Sequence, residues 1–158
     1  MRAGWRFGRP RTTTRVELLR ALAAAARLIL EEGLSHRFRR HAEAGRAFRA
    51  GLHAMRLEMF AHPSLHSSTV SCFKAPSGVE PGAVVQHMRE RHGILIGTGL
   101  DRIRTTTLRV GHMGITSSPL YVLPTLSALG MALRDLGYRA ETGEALAAAQ
   151  TVFDAETP

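Results

Sequence analysis

The chain has 158 residues, 44% of them hydrophobic and 22% charged, which is the size and composition of one globular domain with a real core. Its formal charge of +8 is uneven: residues 1–56 carry thirteen arginines against four acids, while residues 57–158 are close to neutral. No apolar run approaches the ~20 residues that span a bilayer, no secretory signal is legible, and a single cysteine excludes an internal disulfide, so a cytoplasmic protein is expected.

Residues 1–11 lack periodicity and contain two glycines and a proline, which predicts an irregular start. Thr12-Thr13-Thr14 then offer N-caps, with Glu17 at capping-box distance from Thr14. Strong helix formers run to Glu32, and Gly33 supplies a stop. A second helix follows, with Leu34, Phe38, His41, Gly45, Phe48, Leu52 and Met55 on one stripe. Arg37, Arg39, Arg40, Arg46 and Arg49 fall mostly off it and read as a solvated face. His41 reads as a hydrogen-bonded residue at the core edge.

Beyond Met55 the period shortens. Leu57–Phe60 and Ser68–Phe73 read as strands, the second with Val70 and Cys72 opposed to Thr69, Ser71 and Phe73. Pro81 opens a helix buried on Val84, Val85, Met88 and His92 and closed by Gly93. Ile94–Ile96 reads as a short apolar strand ending in Gly97-Thr98-Gly99, and Thr105–Val110 is the next strand. Ser118-Pro119 starts another helix, in which Pro124 predicts an irregular first turn. Gly137 ends it, and residues 142–155 form a last helix expected to be exposed. Few, short strands among helices predict an α+β fold: a small, mainly antiparallel sheet covered by helices and preceded by a long helix.

Metal and nucleophile chemistry find little support. Pro63 breaks the His62/His66 spacing, no H-E-x-x-H or G-x-S-x-G occurs, and Cys72 within a strand reads as a buried, inert thiol. Gly97-Thr98-Gly99 lacks the third glycine and the long helix of a phosphate loop. The basic first third raises nucleic-acid binding, but it lacks an aromatic stacking surface. Arg109 differs in kind. Alternation turns Leu108 and Val110 to the core and Arg109 to the opposite face, and Gly111 and Gly114 permit close approach. From the residues alone, carboxylate capture and a surface salt bridge remain equally open.

Read together, Glu31-Glu32-Gly33-Leu34, Arg40-His41, Leu52 with Met55 and Leu57, Thr69-Val70, Gly93-Ile94 with Gly97 and Gly99, Arg109-Val110-Gly111-His112-Met113-Gly114, and Leu136-Gly137-Tyr138 with Gly143 form one course. It resembles class V, fold type I aminotransferases, in the branch acting on alanine, serine or ureidoglycine with glyoxylate. The resemblance covers about residues 12–155.

It implies residues 12–33 as a connecting helix and 34–158 as the C-terminal small domain. It also implies a homodimer, pyridoxal 5'-phosphate as cofactor, Arg109 binding the carboxylate of a small amino acid or 2-oxo acid, and Thr13 or a neighbour touching the cofactor phosphate of the other subunit. Pro10 and Arg15 depart from the family's tyrosine and proline around that threonine. The family's Schiff-base lysine would lie upstream of residue 1, and Lys74, the sole lysine, is not in its position. The expectation is therefore the C-terminal part of such an enzyme, inactive alone, as a truncated product or a fragment. The alternatives are a non-catalytic interaction module, pairing with itself or a complete aminotransferase, and a basic nucleic-acid binder.

Overall fold

Glycine and proline divide the chain into five helices and three strands among the residues that the structure, a computed structural model, describes: 15–155. The helices are α1 (Val16–Glu32), α2 (Leu34–Ala54), α3 (Pro81–His92), α4 (Pro119–Asp135) and α5 (Thr142–Asp154). The strands are β1 (Val70–Lys74), β2 (Gly97–Thr98) and β3 (Thr107–Gly111). The chain forms two units, 1–37 and 38–158, with the boundary inside α2.

In the first unit, Gly33 takes φ +79°, a conformation that other residues rarely adopt, and its N–H donates to the Ile29 carbonyl at 3.1 Å. Arg37 pairs with Glu32 at 2.8 Å across the break. α1 begins at Val16 with Arg15 in the cap position and no side-chain cap. Thr13, and Thr14 of the expected capping box, lie outside the described residues, while Glu17 stands in the first turn of α1. No residue of α1 is buried, although Val16, Leu18, Leu19, Leu22, Leu28 and Leu30 are all apolar and exposed.

The second unit is α+β. Its sheet has the order β1-β3-β2 with both pairings antiparallel. One face of the sheet, through Phe73, Leu108 and Val110, packs into a core with Phe48 and Leu52 of α2, Met88 of α3, Leu126, Leu129 and Leu133 of α4, and Phe153 of α5. α3 is capped at both ends by chemistry the chain encodes locally. Glu80 accepts the Gly82 and Ala83 N–H groups at 3.0 and 2.7 Å, and Gly93 closes the helix in the left-handed region.

Several expectations are corrected. Residues 57–60 form no named strand, although they run along β1: Met59 bridges Phe73, and the Phe60 N–H donates to the Cys72 carbonyl. Ile94–Ile96 is irregular, and the pairing falls instead on Gly97-Thr98, because the β3 ladder sets which residues meet it. On β1 the core residues are Ser71 and Phe73, and Cys72 is half-buried on the other face. The α2 stripe is buried from His41 onward, whereas Leu34 and Phe38 are 52% and 66% exposed. His92 is half-buried. Ser118 holds the cap position of α4 without a side-chain bond, and the helix runs through Pro124 without a break. α5 is not an exposed appendage: Ala145, Ala149 and Phe153 are buried.

Gly51 of α2 is where three helices meet. A Cβ there would lie 2.5 Å from Leu126 Cδ1 and 3.2 Å from the Ala145 carbonyl. Gly51→Ala should therefore destabilise the fold by about 1–3 kcal/mol through overpacking, read as a lower denaturation midpoint. An unchanged midpoint would show that α4 and α5 yield at this contact.

Candidate functional site

β3 is the central strand, so the backbone of Arg109 is fixed from both sides. Its register partners are Cys72 on β1 and Gly97 on β2. The neighbours Leu108 and Val110 are buried in the core, while Arg109 is half-buried on the opposite face. Its Nε–H donates to the Thr98 carbonyl at 2.8 Å, which orients the guanidinium plane along β2. Among the described residues no carboxylate lies within ion-pair distance of it, so Nη1 and Nη2 form a fork without an acidic partner. Such a fork matches the two oxygens of a carboxylate. Gly97 keeps that end open: a Cβ there would stand 3.7 Å from Nη2, and anything longer would reach the guanidinium.

The segment that leaves β3 is pinned by α2. Arg40 Nη1 donates to the Gly114 and Ser117 carbonyls at 2.7 and 2.8 Å, and His41 Nε2 accepts the Gly114 N–H at 2.9 Å. Gly114 sits at φ +62°, which suits glycine. Arg40 is thus a long-range clamp rather than part of a solvated face, and Arg49 likewise donates to the Ser67 carbonyl at 3.0 Å. Sequence periodicity could place Arg40 off the apolar stripe but could not reveal carbonyls brought to it from 74 residues away.

His112 locks the same segment to β1. Its N–H donates to the Thr69 carbonyl at 2.8 Å, its Nε2 lies 3.0 Å from Ser71 Oγ, and its ring packs on Phe48 at a centroid distance of 5.8 Å. It is 2% exposed, and that burial is the main cause that lowers its pKa to about 4, with the Arg49 charge acting the same way. His112 is therefore neutral at pH 7 and serves as a hydrogen-bonded packing residue beside the arginine strand.

The other candidates stand apart from this constellation. The Gly99 N–H donates to the Thr107 carbonyl in the sheet ladder, which removes it from any phosphate loop. No group of three or more histidine, cysteine or acidic side chains suited to a metal ion occurs among the described residues. No helix among them is long and apolar enough to cross a membrane.

No family model matches the chain. Individual proteins do. It is 35% identical over 145 residues to a pyridoxamine–pyruvate transaminase of Mesorhizobium japonicum, covering 91% of this chain and 37% of that one. It is 32% identical to a serine–glyoxylate aminotransferase of Arabidopsis thaliana, over 92% of this chain and 36% of the relative. The crystal structure of a ureidoglycine–glyoxylate aminotransferase from Bacillus subtilis superposes with a TM-score of 0.83 at 34% identity, covering 87% of this chain and 35% of that one. The pyridoxamine–pyruvate aminotransferase of Mesorhizobium loti gives 0.87 at 35% identity, over 90% and 36%. This chain is the counterpart of the C-terminal part of class V aminotransferases. It spans a little over a third of the length of the relatives it matches.

Class V aminotransferases use pyridoxal phosphate, which supplies an electron sink when it is linked to a lysine amine. The described residues do not fit that group by themselves. Lys74 ends β1 in an exposed pair with Glu58 at 2.5 Å, so its amine is already engaged by a carboxylate. Thr13, the residue that the resemblance puts at the cofactor phosphate, lies outside the described residues.

The lowered pKa of His112 has a consequence for stability. A group that binds its proton less tightly when folded than when unfolded leaves stability intact above its unfolded value near 6.5 and withdraws it as pH falls toward about 4. The free energy of unfolding, followed by denaturant titration, should fall across that window by on the order of 3 kcal/mol in total. His112→Asn should flatten this limb, whatever its midpoint at pH 7. The same acid limb in both proteins would place the titrating group elsewhere.

Proposed function

We propose that this chain is the carboxylate-binding part of a pyridoxal-phosphate-dependent aminotransferase that moves an amino group between a small amino acid, such as alanine, serine or ureidoglycine, and glyoxylate or a similar 2-oxo acid. The observation that carries the reading is the Arg109 fork: oriented by Thr98, open beside Gly97 and without an acidic partner among the described residues. The relatives support the substrate class, since pyruvate and glyoxylate, named for them, both carry a carboxylate next to a carbonyl. Arg109 would hold and orient that carboxylate, and the core beneath β3 would keep it from shifting. On this reading the proton-moving lysine lies outside residues 1–158. A cytoplasmic location is part of the same reading.

A second reading draws on α1. Its apolar residues are exposed along the whole helix, which favours a surface made to be covered. On this reading the chain pairs with itself or with a complete aminotransferase, and the two readings are compatible.

The chain alone with added pyridoxal phosphate should form no stoichiometric, borohydride-fixed adduct on Lys74 and show no transaminase turnover; both together would contradict the assignment. In an assembly that contains the lysine-bearing part, Arg109→Lys should raise KM for the 2-oxo acid about tenfold, because a single ammonium cannot reproduce the two-pronged grip. Unchanged KM and kcat would remove Arg109 from the site.

A further inference from the structure

A cavity of about 200 Å³ lies between the 59–67 segment and the outer face of β1. Met59, Leu65, Val70 and Cys72 belong to its apolar lining, and Arg49 and His66 to its polar lining. Val70 and Cys72 are the outward residues of β1, alternating with the core residues Ser71 and Phe73. His66 Nε2 is engaged with the Ala61 carbonyl at 3.1 Å, so that edge is already satisfied.

Arg49 is not matched in this way. It is half-buried, its Nη1 donates to the Ser67 carbonyl, and no carboxylate lies within ion-pair distance of it among the described residues. Its neighbour one turn back, Arg46, is another cation. Burial first, and then the Arg46 charge, lower the Arg49 pKa. A guanidinium that is part-desolvated, beside a like charge and in a cavity shared with apolar side chains, is complementary to an anion with a hydrocarbon body. The volume is below that of pockets for drug-sized ligands, which limits the body to a short chain.

We propose that this cavity binds a short aliphatic monocarboxylate, its carboxylate on Arg49 and its chain along Met59, Leu65, Val70 and Cys72. The site is separate from the Arg109 fork and does not depend on the transaminase reading. The two adjoin through Cys72, which is the register partner of Arg109.

Cys72 is the sole thiol of the chain, so it reports directly on occupancy. Its alkylation by iodoacetamide, followed by intact mass on the full chain, should slow about tenfold when hexanoate is present at about ten times its Kd. Hexanol at the same concentration should leave the rate within a factor of about two, because it lacks the charge that Arg49 answers. Arg49→Gln should abolish protection by hexanoate, and Arg109→Gln should preserve it. The proposal is overturned if hexanoate gives no protection, if hexanol protects equally, if protection survives Arg49→Gln, or if it is lost in Arg109→Gln. The hexanoate–hexanol comparison on the unaltered chain decides the matter even if Arg49→Gln fails to fold.

Discussion

The hydrogen bond from Arg109 Nε to the Thr98 carbonyl, 2.8 Å long, is the constraint on which the rest of the site depends. It engages the one guanidinium donor that points along the sheet and leaves the two terminal nitrogens together. An arginine without such a bond sweeps many rotamers and loses entropy each time it grips a ligand. Here the orientation is set by the fold. The acceptor is a backbone carbonyl of β2, so the geometry follows from strand pairing rather than from another flexible side chain.

That pairing is itself held from two directions. Below β3, Leu108 and Val110 sit in a core shared by α2, α3, α4 and α5, so the strand cannot move without opening the domain. Beyond β3, the chain turns through Gly111–Ser117 and is fastened to α2 by Arg40 and His41, and to β1 by His112. α2 thus supports the arginine without touching it. Its buried half serves the core, and its Arg40-His41 pair ties down the loop that leaves the arginine strand.

Much of this was legible in the sequence where local rules decide. Gly33, Gly93 and Pro81 bounded helices within a residue or two, because φ preferences and missing N–H groups act locally. Alternation turned Arg109 away from the core, because Leu108 and Val110 flank it. What was not legible depends on partners distant in sequence. The β2 pairing falls on two small residues, Gly97 and Thr98, because β3 selects them, whereas the apolar run before them has stronger strand propensity. Arg40 and Arg49 read as solvated because their carbonyl acceptors arrive from elsewhere. The burial of α5 follows from Gly51 and Gly130, which let helices approach closely, and composition does not show that. The sheet face that carries Cys72 depended on register, which a one-residue slip reverses.

The relatives extend the account from one strand to an enzyme class, yet the chain spans little more than a third of their length. The central claim therefore concerns the part that is present: the terminal nitrogens of Arg109 receive a carboxylate. Side-chain nitrogen resonances of the arginines, followed by NMR as pyruvate is added to the full chain, test it most directly. The account predicts a saturable shift of the Arg109 signals that acetone, which lacks the carboxylate, does not produce. Arg109 signals that stay fixed while other arginines respond, or that respond equally to acetone, would contradict it.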